Sequence, residues 1–172
     1  MSLMQSTRPL DPWRWLGVPA LACVVATIVF AIPIKVFGLL LPEPVFPMVL
    51  AFAWAVIRPS VIAPFVLMLL GLFLDVFWGG PMGLWGVSLL ASYTVVLASR
   101  SIMTGQSRPM RQVWFAGATG LTMLTGFLIS SVISLAVPNL LAVFWQFLAT
   151  TVLYPFAHRL IERFEDADVR FR

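Results

Sequence analysis

From Gln112 to His158 the chain carries no formal charge. A helix needs about 20 apolar residues to cross a bilayer, so this run is too long for one crossing. Pro138-Asn139 divides it into two. The remaining sequence repeats the pattern, with uncharged windows separated by short polar breaks. Across its 172 residues 60% are hydrophobic and 10% charged, with a mean hydropathy of +0.97; an ordinary soluble domain is about 25% charged. This composition excludes a soluble globular enzyme, a disordered chain and a disulfide scaffold. It predicts an all-α polytopic membrane protein with about six transmembrane helices. The length leaves no room for a second, water-soluble domain, so residues 1–172 read as a single integral-membrane domain.

The predicted spans are about 15–34, 44–57, 59–78, 82–99, 113–137 and 139–158, followed by a tail at 159–172. Pro33, Pro42, Pro44 and Pro47 make the link between the first two a bent connection, because proline lacks the backbone donor a helix interior needs. The second window is too short to cross a full bilayer unaided and calls for a thinned or protein-lined region. Arg58-Pro59 ends it and opens the third, in which Pro64 is expected to make a kink. Gly79-Gly80-Pro81 is a strong turn signal. Residues 100–111 read as a polar loop. Ala20-Leu21-Ala22-Cys23 looks superficially like a signal-peptide or lipoprotein cleavage site, but the apolar run continues past it to Ile34, so the segment is read as a retained span.

An even number of spans puts both termini on one side. With the N-terminus inside, the inner segments hold Arg8, Arg14, Arg58, Arg100, Arg108, Arg111, Arg159, Arg163, Arg170 and Arg172. Of the 11 Lys and Arg residues, Lys35 alone falls outside. This asymmetry is the positive-inside pattern and predicts cytoplasmic termini. Trp13, Trp15, Trp54 and Trp114 then fall near the inner interface and Trp78 and Trp85 near the outer one, as aromatic belts do. The basic balance thus serves orientation rather than nucleic-acid binding. Cys23 is the one cysteine and His158 the one histidine. Neither has neighbours at metal-ligand spacing, and no metal or cofactor is expected.

Asp75 is the one formal charge inside a clearly apolar span. A charge there costs a few kcal/mol and normally faces a partner inside the bundle. The functional readings are a polar anchor, an ion or proton site, or a contact to another protein; the structural one is a carboxylate solvated just below the headgroups. No second catalytic group accompanies it, so an enzyme is not expected. Gly71, four residues earlier, shares its helix face and permits close helix approach; Gly83 and Gly86 offer the same on the next span. Thr122, Gly126, Ser130 and Ser134 stand four apart and form a small, partly polar ridge, suited to packing within the bundle or to docking a partner's membrane helix. Ala22 and Ala26 make a smaller version. Gln146 and Tyr93 read as hydrogen-bonding residues between helices. The tail places Leu160, Ile161, Phe164, Ala167 and Phe171 at helical spacing. It carries no net charge, which leaves an interfacial helix, a contact to a cytoplasmic protein and a plain surface helix as its readings.

The block Gly71-Leu-Phe-Leu-Asp75-Val-Phe-Trp-Gly79-Gly80-Pro81-Met-Gly83 resembles the signature of the rod shape-determining protein MreD family. In that family a Gly, three apolar residues, an Asp and a glycine-rich turn bridge two middle spans. The proline-led Pro47-Met-Val-Leu of the second span and the Tyr154-Pro155-Phe156 step before the charged tail fit the same pattern. The resemblance implies a non-enzymatic scaffold of the bacterial inner membrane that helps to organise peptidoglycan synthesis along the side wall. Its implied partners are the bitopic protein MreC, most directly, and MreB, RodA and RodA's transpeptidase in a larger complex, besides the lipid bilayer. The family also resembles in fold the substrate-binding components of energy-coupling-factor vitamin transporters. Vitamin uptake is therefore the alternative expectation, with Ala22 and Ala26 as its docking feature.

Overall fold

The computed structural model describes residues 13–31, 35–36, 39–40, 43–57, 60–103, 105–135 and 138–169. The expected end of the first span at Ile34, the Arg58-Pro59 break, Val137 and the terminal Arg170 and Arg172 lie outside them. A π-helical turn, Trp13–Gly17, leads into α1 (Val18–Phe30). A minimal antiparallel ladder, β1 (Lys35–Val36) with β2 (Leu39–Leu40), pairs Lys35 with Leu40. Then come α2 (Pro47–Ile57), α3 (Ile62–Trp78), α4 (Leu84–Met103), α5 (Arg108–Ser134), α6 (Leu140–Thr151) and α7 (Tyr154–Val169). Among the described residues the rest are helices and the turns between them.

Sequence chemistry explains the helix ends. Gly79 closes α3 in the left-handed conformation at φ 66°, the usual glycine stop. The Asn139 side chain caps α6 by accepting from the Leu141 N–H at 3.0 Å. Pro109 sits in the first turn of α5, where its missing donor is harmless. Pro64 likewise falls in the first turn of α3, so the expected kink has no helix interior in which to form. The expected 100–111 loop is much shorter: α4 runs on to Met103 and α5 begins at Arg108. The tail continues the helical course as α7. Pro155, in its first turn, has no N–H to donate to the Thr151 carbonyl, and the chain tightens there as the Leu153 N–H donates to the Thr150 carbonyl at 3.0 Å.

Among the described residues, three helical stretches are long and apolar enough to cross a membrane: Leu84–Met103, Arg108–Ser134 and the joined Leu140–Glu162. In the last, only 22% of the most apolar window is buried within the protein. That leaves Leu140, Leu141, Phe144 and Trp145 facing outward. A water-soluble fold would hide such a surface; a bilayer accepts it. The helices thus have the length and the outer surface of a helical membrane protein.

α2 is different. Its 11 residues span about 16 Å, half a hydrocarbon core of about 30 Å. Every residue from Pro47 to Ala55 is buried, and the helix is wrapped by α4, α7, α3, α1 and α5. A helix apolar on all sides belongs in an interior. Trp54 is fully buried there rather than standing at an interface; it is a core residue, not part of an aromatic belt. Phe52 meets Phe115 edge-on at 5.3 Å, and Phe115 meets Tyr154 at 5.8 Å, so α2, α5 and α7 join through one aromatic chain.

The irregular residues before α2 carry backbone groups that need hydrogen-bond partners in an apolar setting, and α6 supplies them. Gln146 Nε2 donates to the Glu43 carbonyl at 3.2 Å. The Val45 N–H donates to Thr150 Oγ1 at 3.0 Å, while the same hydroxyl donates to the Gln146 carbonyl at 2.7 Å. Thr150→Val keeps the shape but leaves a buried N–H unpaired, which costs about 1–3 kcal/mol. Thermal unfolding in detergent is expected to show a lowered Tm for Thr150→Val and little change for Thr150→Ser. An unchanged Thr150→Val would remove this bond from the account.

Candidate functional site

The Gly71–Gly83 block forms the hairpin between α3 and α4, and Asp75 is its centre. Asp75 lies in the last turn of α3 and is fully buried. Its Oδ2 accepts from the Gly83 N–H at 2.7 Å and its Oδ1 from the Trp85 N–H at 2.9 Å. Gly83 immediately precedes α4 and Trp85 lies in its first turn, so neither amide has a partner within that helix. Asp75 therefore caps a neighbouring helix. Its charge sits at the positive end of the α4 dipole, and both bonds are charge-assisted. Its backbone carbonyl accepts from the Gly79 and Gly80 N–H groups, so one residue holds the end of one helix and the start of the next. With both carboxylate oxygens engaged and no exposed surface, Asp75 is neither solvated near the headgroups nor facing outward to another protein.

The glycines of the block divide by role. A Cβ on Gly71 would fall 2.3 Å from the Gly86 Cα, so α3 and α4 cross there in backbone contact. Gly86 is the partner in that crossing; a Cβ on it would press only on the flexible Met68 Sδ at 2.6 Å. Gly83 is not a packing residue: nothing lies within 4 Å of where its Cβ would be. Its φ of +90° turns the chain so that its amide faces Asp75. Gly80 and Pro81 complete the turn, with Pro81 O accepting from the Leu84 N–H.

Glu43 and the two tryptophans lie beside this hairpin. Trp78 Nε1 donates to Glu43 Oε2 at 2.6 Å, and the Trp78 and Trp85 rings meet edge-on at 5.1 Å. Together with Gln146, this ties the hairpin to the start of α2 and to α6.

The ridge on α5 divides along its length. Thr122 and Gly126 are buried against α4; Ser130 is half-buried and Ser134 exposed. A Cβ on Gly126 would lie 3.4 Å from Ser88 Oγ. Thr122 Oγ1 is 2.6 Å from Ser92 Oγ and 3.1 Å from Met48 Sδ, and Ser92 Oγ donates to the Ala118 carbonyl at 2.8 Å. The buried half of the ridge thus packs inside the bundle, and the exposed half is open. Ser88 and Ser92 complete this contact although the sequence reading passed over them. Their signal is present, since they stand four apart as Thr122 and Gly126 do.

At the opposite end, Tyr154 donates its hydroxyl to the Arg108 carbonyl at 3.1 Å, joining α7 to the first turn of α5, while Pro155 is exposed. Tyr93 is buried on α4. Among the described residues no group of His, Cys, Asp and Glu has the arrangement of a metal site. No protein-family profile, curated protein or solved structure matches the chain.

The geometry ranks substitutions. Asp75→Ala abandons two amides and is expected to lose about 3 kcal/mol, whereas Asp75→Asn, which keeps a side-chain oxygen, loses less. Gly71→Ala forces two backbones apart and should cost at least the 1–3 kcal/mol typical of overpacking. Gly86→Ala should cost less, because Met68 can move. Unfolding in detergent gives the order; Gly71→Ala as mild as Gly86→Ala would refute the crossing.

Proposed function

We propose that this protein is a non-enzymatic scaffold of the bacterial inner membrane, of the MreD kind, that works with MreC to organise lateral peptidoglycan synthesis. The observation that carries the reading is the use made of the signature block. Its carboxylate is spent on amides of the neighbouring helix, and its glycines on a turn and a helix crossing. That is the chemistry of a rigid shape, not of a reaction. The proposal includes six crossings, with α2 as the short second one inside a protein sheath, and both termini in the cytoplasm. The arginine asymmetry supports that orientation. MreC is the direct partner in this reading, with MreB, RodA and its transpeptidase in the wider assembly.

The partner-facing surface is assigned to the open half of the α5 ridge. Ser130 and Ser134 stand among the exposed Val132 at 74% and Leu135 at 92%, a mixture of small polar and apolar groups suited to another membrane helix. A vitamin-uptake component is the second reading. It is favoured by the exposure of Ala22, with Val18, Leu21 and Val25 exposed on the same helix, a surface on which a coupling protein could sit.

Co-purification decides between them. Ser134→Phe is expected to fold normally and to reduce recovery of MreC several-fold, while Ala22→Phe leaves it unchanged. Loss with Ala22→Phe alone, or an energy-coupling ATPase pair recovered in place of MreC, would favour uptake. Orientation has its own test. Ser107→Cys in a Cys23→Ser background should react with an impermeant thiol reagent only after spheroplasts are opened; labelling of intact spheroplasts would reverse the topology.

A further inference from the structure

α1 is held to the rest of the bundle unevenly. The face it turns inward is Ala20, Cys23, Val24 and Thr27, and Thr27 is the one residue of the helix that is buried. Its large side chains, Leu21, Val25, Ile28, Val29 and Phe30, face outward. Between membrane helices no hydrophobic drive remains, so close packing and hydrogen bonds have to hold them together. Small residues help where backbones meet, as at Gly71 and Gly86, but α1 makes few close backbone approaches to α2 and α3. The Thr27 hydroxyl adds no link to a neighbour, because it donates at 2.9 Å to the Cys23 carbonyl of its own helix. Elements that move are drawn from such sparsely packed parts of a structure.

The attachments that do exist are of two kinds. At the start of the helix, Trp15 and Leu16 are buried in the core. The backbone there is the π-helical turn Trp13–Gly17, which runs directly into α1 at Val18. Such turns are rare and are places where helices bend. Beyond the turn, Cys23 and Phe30 both reach Phe46, in the lead-in to α2. The Cys23 Sγ–H lies 3.6 Å from the Phe46 carbonyl, and the Phe30 and Phe46 rings are 5.2 Å apart, tilted by 52°. Both contacts are slight, since a thiol is a weak donor and half of Phe30 stays exposed. A buried turn at one end and a weak closure on one residue leave a rod that can pivot.

We propose that α1 is a side door of the bundle, which pivots at the π turn, latches on Phe46 and swings into the bilayer from its Phe30 end to uncover the lead-in to α2. The bilayer permits the motion. The outer face of α1 stays in hydrocarbon throughout, and the helix keeps its own backbone hydrogen bonds as it moves. The lead-in holds its place meanwhile, because the Glu43 carbonyl and the Val45 N–H are bonded to α6 rather than to α1. The Asp75 hairpin likewise takes no bond from α1. Opening therefore breaks only the Cys23 and Phe30 contacts to Phe46 and the thin packing beside them. This inference rests on the reading of the chain as a membrane protein, but not on its having MreC as partner.

Spin labels at exposed positions test the motion in the full chain, in lipid discs and in a Cys23→Ser background, which keeps a donor toward Phe46. Phe30 adjoins Phe46 and Trp78 adjoins Glu43, so the Phe30 end of α1 and the Trp78 end of α3 lie at the same end of the bundle. Ile28→Cys with Val76→Cys spans the two helices there, and Val18→Cys with Ile62→Cys spans them near the hinge. Double electron–electron resonance is expected to give one narrow distance for the hinge pair and a second, longer component for the Phe30-end pair. Phe30→Leu removes the ring contact and should enlarge that component at least about two-fold, the lower end of what an aromatic pair contributes, with the hinge pair unchanged. One narrow distance at both ends, equal broadening at both ends, or a longer component indifferent to Phe30→Leu would each overturn the proposal and leave the membrane reading standing. A chain that does not enter the discs would overturn both.

Discussion

A carboxylate placed in the last turn of an apolar helix has to be met by donors, and in this protein the donors are the free amides of the next helix. Asp75 receives the Gly83 and Trp85 N–H groups, and the rest of the architecture follows from that. It fixes where α4 begins, and hence the register in which Gly71 meets Gly86 and Ser92 meets Thr122. The cost of burying the charge is offset because helix α4 opens with amides that nothing in its own sequence can cap. Neither the carboxylate nor that helix start would be comfortable in a bilayer alone.

The second constraint is a helix too short for its surroundings. α2 cannot cross a hydrocarbon core by itself, and its irregular lead-in has backbone groups that lipid cannot satisfy. Both problems have one solution, which is to bury the segment in protein and let α6 answer it through Gln146 and Thr150. Glu43 then connects the two solutions, since its carbonyl is held by Gln146 and its carboxylate by Trp78 of the hairpin helix. These junctions are held by Asp75, Glu43, Gln146 and Thr150, while many large apolar side chains, Leu69, Val76, Leu128 and Val132 among them, face outward.

Much of this was legible in the sequence because the signals are local. The Gly79-Gly80-Pro81 turn, the Pro138-Asn139 break and the charge-free windows depend only on neighbouring residues. The importance of Asp75 followed from its isolation, but its partners could not be read. They are main-chain amides, and every residue except proline has one. Pro64 misled because a proline's effect depends on whether it falls in the first turn or the interior, a matter of one or two residues at a helix boundary. Trp54 misled for a related reason. A tryptophan near the end of an apolar window looks interfacial until one knows that the whole window is enclosed. The four-residue spacing on α5 points to a small ridge, of which Thr122 and Gly126 pack against α4, and spacing alone does not reveal that the ridge divides into an inner half and an open half.

The Asp75 capping claim is tested most directly by amide hydrogen exchange, resolved to single residues, on the protein in detergent or a lipid disc. Amides in the first turn of a helix ordinarily exchange fast, for want of an acceptor. The Gly83 and Trp85 amides should instead be protected as strongly as the middle of α4, and Asp75→Ala should abolish that protection while sparing the centre of the helix. Fast exchange at both amides in the unaltered protein would contradict the account.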